Sequence, residues 1–167
     1  MSVLAALFLA AAGLCFIYAA VTDFVSWKIH NHTVIGLIVL FVLYALTAAS
    51  GPGAMLLPVS WPGALGAGAL LFLTGFLLWQ FKLLGAGDAK LMFPVGLFIG
   101  WNNLMAYAIF LIGFALLATL LLRLPLPYGL GNTWPGMRLD EIRKTGKVPY
   151  GVIMVMALFA LLSVNYK

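Results

Sequence analysis

Residues 81–93 read FKLLGAGDAKLMF. A carboxylate, Asp88, stands between a Gly-Ala-Gly turn and the start of another apolar run. Hydrophobic residues make up 65% of the 167-residue chain and charged residues only 8%, too few polar groups to cover a water-facing surface. The chain is therefore expected to be an all-α integral membrane protein. In such a protein a carboxylate inside an apolar segment needs a physical reason.

Working outward from this stretch, long apolar runs separated by Gly, Pro and Asn turns predict six membrane spans. They lie near 3–27, 33–50, 63–81, 82–101, 103–123 and 148–165, with the Gly85-Ala86-Gly87-Asp88 break before the fourth. About 20 residues are needed per span, so 1–167 is read as one integral membrane domain with no room for a soluble one. The first run is not expected to be a cleaved signal. No Lys or Arg precedes it, and it exceeds the roughly 7–15 residues of a signal core.

Charge sets the expected orientation. Lys28, Lys82, Lys90, Arg123, Arg138, Arg143, Lys144 and Lys147 all fall in or beside connections one, three and five, which leaves Lys167 alone on the other side. By the positive-inside rule these connections are cytoplasmic and the N-terminus is outside. The net charge of +5 then reflects topology, and no nucleic-acid partner is expected. Trp27, Trp61, Trp79 and Trp101 fall near span ends and read as interfacial anchors in contact with membrane lipid. Cys15, the only cysteine, excludes an intrachain disulfide or a cysteine-built zinc site and reads as a small packing residue.

Only four acidic residues remain to be placed. Asp140 and Glu141 lie in the basic fifth connection and read as surface charge. Asp23 sits about 7 Å inward from the interfacial Trp27-Lys28 pair, and Asp88 about 9 Å inward from Lys82, at 1.5 Å rise per residue. Two carboxylates from different spans thus reach similar depth on the same side. An ionisable group there is costly and normally faces a bundle interior or a wet cavity. A close pair can share a proton. One member then activates water while the other polarises a carbonyl, as amide hydrolysis requires. The same pair could bind protons or a cation in a small transporter, sit in a non-catalytic membrane-complex subunit, or simply bond backbone, Lys28 and Lys90.

Gly85 and Gly87 favour the site reading. They are expected to break any regular helix between Leu84 and Asp88, and such a break is tolerated in a membrane only where protein or a wet cavity satisfies the backbone. An extended peptide could lie close against it. A plain Gly-rich turn is the simpler alternative.

Gly85-Ala86-Gly87-Asp88-Ala89-Lys90-Leu91 resembles the GxGDxKL signature of the type IV prepilin peptidases, aspartic intramembrane proteases that include the archaeal preflagellin peptidases. Asp23 followed by Ile29-His30-Asn31 is similar to the family's second element, with His30 where Pro is usual. Pro149-Tyr150-Gly151 resembles a third, near the C-terminus. The resemblance implies Asp23 and Asp88 as catalytic residues, with Gly85, Gly87, Lys90, Asn31, Pro149, Tyr150 and Gly151 shaping the site or binding substrate. Larger members carry an N-terminal cytoplasmic segment with paired CxxC motifs and a methyltransferase activity. This sequence has neither and resembles the short, peptidase-only branch that processes Flp-type pilins. The implied substrate is a prepilin with a basic leader in the cytoplasm and an apolar helix in the inner membrane. No cofactor is implied, and homo-oligomer formation is left open.

Remaining polar residues have plainer readings. His30 and His32, at i and i+2, do not share a helical face, so no metal site is expected with Asp23. Asn31 could instead cap the second span, and Lys90 could contact lipid phosphate. Residues 124–149 form the longest connection, read either as a loop held to anionic lipid or as a gate over the leader. Pro-Tyr-Gly occurs at both Tyr128 and Tyr150 with no wider repeat.

Overall fold

The computed structural model describes residues 3–49, 60–123, 137, 140–143 and 148–165. Its helices, in chain order, are α1 (Val3–Ser26), α2 (Asn31–Ala49), α3 (Trp61–Gln80), α4 (Ala86–Ile99), α5 (Leu104–Arg123) and α6 (Tyr150–Asn165). A 3-10 turn, Trp101–Asn103, leads into α5. Residues 140–143 add a short helical stretch.

Three stretches are long and apolar enough to cross a bilayer: α1, α3 and the continuous run Trp101–Arg123, of 24, 20 and 23 residues. Most of α2 and α6 forms apolar helices somewhat shorter than that. The chain is thus an all-helical, multi-pass membrane protein.

The fourth expected span takes a different form from the one the sequence predicts. Instead of a helix over 82–101, the chain makes a turn through 81–84 and then the 14-residue α4, about 21 Å long against a hydrocarbon core of about 30 Å. The Lys82 amide donates to the Trp79 carbonyl and the Leu83 amide to that of Leu78, a double bond pattern that closes the end of α3. Gly85 is extended (φ −71°, ψ 148°) and caps α4, and Gly100 (φ 67°) ends it. Gly87 therefore lies inside a helix and not in the break, which is confined to 81–85.

A short α4 is accommodated because protein, not lipid, surrounds it. It packs against α2, α3, α5 and α6, and Leu91, Met92, Val95, Leu97, Phe98 and Ile99 are all buried. Its contact with α3 is the most extensive in the fold and depends on small residues, as membrane helix pairs do. A Cβ on Gly96 would stand 2.5 Å from the Gly68 Cα and 2.7 Å from the Ala67 carbonyl oxygen. Nothing larger than hydrogen fits there. Edge-to-face rings tie α4 to α1 and α2: Phe98 meets Phe16 at 5.4 Å and Phe41 at 5.3 Å.

Ala5, Ala12, Phe16, Ala19 and Asp23 are the buried residues of α1, and their spacing of three, four and seven makes one face. That face packs against α2 and α6. Asp23 is its last member, so the stripe that holds α1 in the bundle also turns the carboxylate inward. At the far end of α5, Arg143 Nη2 donates to the Leu121 carbonyl at 3.3 Å, where a cation suits a helix C-terminus. The expected anchoring of connection five to lipid otherwise falls on residues outside those described, as do the second connection at 50–59 and Tyr128.

Candidate active site

Asp23, in the last turn of α1, and Asp88, third in α4, are both buried, at 5% and 7% exposure. They line the same two clefts and lie close enough for their charges to interact. The first cleft, about 420 Å³, runs between Trp27, Lys82, Leu83, Leu84, Gly85, Val148 and Tyr150. The second, about 480 Å³, lies on the side of Lys28, Ile29, His30, Asn31, Gly87 and Lys90. The dyad is thus reached from two directions.

The N-terminus of α6 organises the pair. The Gly151 amide donates to Asp23 Oδ2 at 2.9 Å, and Gly151 also lies near the Asp88 carboxylate. Helix N-termini carry free amides and a partial positive charge, which suit a carboxylate. A Cβ on Gly151 would sit 2.8 Å from Asp23 Oδ2 and 3.0 Å from its Cγ, so glycine is what lets the carboxylate approach this closely. The Asp88 carboxylate lies beside Gly85, its own helix cap. Among the described residues its Oδ1 is buried with no hydrogen-bond partner.

Gly85 and Gly87 serve different purposes. A Cβ on Gly85 would come within 2.8 Å of Asp88 Oδ2, whereas one on Gly87 would press on Ile29, 3.2 Å from its Cβ. Gly87 therefore allows the first connection to close over α4. Lys90 Nζ donates to Asn31 Oδ1 at 3.1 Å and joins the start of α2 to α4. Among the described residues neither Lys28 nor Lys90 forms an ion pair with an aspartate. Pro149 lines an apolar groove between α5 and α6 with Phe114, Leu117 and Val152.

The two histidines are closer than helical spacing suggests. His30 precedes α2, so its ring is free to stack on that of His32, with centroids 5.0 Å apart. Among the described residues no group of three or more His, Cys, Asp or Glu side chains could hold a metal ion.

Sequence reasoning missed Trp27 and Lys82 as parts of the site. Both were assigned to the membrane interface, yet both line the 420 Å³ cleft. Only their proximity in sequence to the aspartates, four and six residues away, hinted at it.

Residues 7–123 match the model of the type IV leader peptidase family, most of the chain and both aspartates included. The chain belongs to that family. It is accordingly a prepilin peptidase, an aspartic-type hydrolase of helical membrane architecture. No curated protein and no solved structure matches it significantly. The family match ends before α6, so the Gly151 contribution to this leader peptidase comes from the structure and not from the match.

Proposed function

We propose that this leader peptidase removes the cytoplasmic leader of a Flp-type prepilin, with Asp23 and Asp88 as the catalytic dyad. The observation that carries the reading is the burial of both carboxylates along the same two clefts, with an α6 amide bonded to Asp23. The scissile peptide enters extended between the clefts. One carboxylate, ionised, takes a proton from water, which attacks the carbonyl carbon; the other, protonated, donates to the carbonyl oxygen. Collapse of the tetrahedral intermediate returns a hydroxyl proton to one carboxylate and expels the amine, which takes up the proton held by the other. The pair returns to its single shared proton.

The remaining parts of the proposal follow from charge and length. The whole chain acts as one domain in the inner membrane, N-terminus outside, with the shorter apolar helices and α4 completing six crossings. The dyad then lies near the cytoplasmic face, where the basic residues of connections one and three gather. Methyl transfer is not part of the activity, and no cofactor is needed. The test is incubation of purified protein with a Flp-type prepilin in detergent, followed by mass analysis of the product. A pilin shortened by its leader supports the reading, and an intact one overturns it.

A further inference from the structure

Among the described residues, two that are not glycine hold left-handed backbone: Trp27 at φ 56° and Lys82 at φ 59°. Such a conformation is an outlier for a bulky side chain and persists where the surroundings demand it. Both residues follow the last turn of a helix, α1 and α3, and both line the cleft that holds Asp23 and Asp88. At Trp27 the turn is sealed by its amide donating to the Asp23 carbonyl at 2.9 Å. At Lys82 it is sealed by the paired bonds to Trp79 and Leu78.

The position Lys82 occupies, one past the helix cap, is where glycine is ordinarily found, because glycine has no Cβ penalty there. A lysine keeps the turn at a cost in backbone strain. Its location supplies a reason. Among the described residues Lys82 is the only cation lining this cleft, whose other walls near it are the apolar Leu83, Leu84 and Val148. Within that same set Lys82 bonds through its backbone amide, and its ammonium has no ion pair or hydrogen bond. An extended peptide entering such a cleft presents a carbonyl oxygen about every 3.3 Å and loses the water that solvated it. Few side-chain donors line this wall to replace that water: the Lys82 ammonium, the Tyr150 hydroxyl and the Trp27 indole.

On the reading that the aspartates cleave a peptide here, we infer that Lys82 is a substrate-binding residue, its ammonium donating to a main-chain carbonyl oxygen of the peptide beside the scissile bond. The left-handed turn sets Lys82 on the wall of the cleft that holds both aspartates. Binding of this kind stabilises ground and transition states alike, so its loss raises KM and leaves kcat close to wild type.

The test compares Lys82→Gly, Lys82→Asn and Lys82→Arg with wild type on the full-length prepilin in detergent. Glycine and asparagine both tolerate the left-handed turn, so both variants are expected to melt at or above the wild-type temperature. Both should nevertheless show KM raised about tenfold or more, the loss of one charge-assisted hydrogen bond. Arginine should restore most of the affinity. The penalty should persist on a prepilin whose acidic residues near the cleavage site are replaced by their amides. Wild-type KM in the Gly and Asn variants overturns the inference, as does a penalty that vanishes on the amide substrate. A loss confined to kcat with a displaced pH profile overturns it too, since that would mean Lys82 acts on the aspartates. Failure of the wild-type protein to cleave would instead remove the proposed function itself.

Discussion

The backbone amide of Gly151 donates to Asp23 Oδ2 at 2.9 Å across 128 residues of sequence. The bond fixes the end of α1 against the start of α6, and Gly151 also lies near Asp88 on α4. Three helices that share no local sequence thereby meet at one point.

The first prediction follows from that contact. In Gly151→Ala the new Cβ would fall 2.8 Å from Asp23 Oδ2 and 3.0 Å from its Cβ, so the carboxylate must move by several tenths of an ångström or more. A displacement approaching 1 Å costs about 100-fold in rate where geometry governs catalysis. Cleavage by Gly151→Ala is expected to fall by about that factor while the variant remains inserted and folded. Kinetics on the prepilin, with a thermal melt in detergent as the folding control, checks it.

A second prediction separates stability from chemistry. Gly96→Ala places a Cβ 2.5 Å from the Gly68 Cα, backbone against backbone, with no side chain able to yield. Overpacking of this kind costs about 1–3 kcal/mol, and the midpoint of thermal unfolding should drop. Gly113→Ala, on α5, meets nothing within 4 Å and should leave the midpoint unchanged or slightly raised. Equal midpoints for the two variants would mean that the α3–α4 contact is not close-packed in the native protein.

The third prediction concerns orientation. Lys28, Lys82 and Lys90 fall in or beside the first and third connections, and positive charge is retained on the cytoplasmic side. In a Cys15→Ser background, a single cysteine near Lys28 or Arg143 should be shielded from an impermeant thiol reagent in intact cells, and one near Gly53 should react. The reverse pattern would place the dyad away from a cytoplasmic leader.

Much of the architecture was legible in the sequence because apolar runs and glycine or proline turns leave local marks. The inward depth of Asp23 and Asp88 could be counted from Trp27 and Lys82, and the two side chains do line common clefts. The length of α4 was not legible. Its apolar composition resembles a span, but the αL turn at Lys82 and the cap at Gly85 shorten it, and shielding by four neighbouring helices is a property of the assembled bundle. The separate purposes of Gly85 and Gly87 were equally hidden, since one faces its own helix's carboxylate and the other a distant isoleucine. Trp27 and Lys82 carry the composition of interfacial anchors. Both hold left-handed backbone and both line the cleft, neither of which composition reveals.

The central claim is that Asp23 and Asp88 act as one unit on one water molecule. Groups that act together are not additive, so Asp23→Asn, Asp88→Asn and the double variant should each abolish cleavage, the double no worse than either single one. Removing charge from a buried pair relieves repulsion and desolvation, so all three should stay folded in detergent and melt at or slightly above wild type. The most direct measurement is single-turnover cleavage of a purified prepilin by these three variants, with membrane insertion verified for each. The account predicts no shortened pilin from any of them. Robust cleavage by either correctly inserted single variant would contradict it.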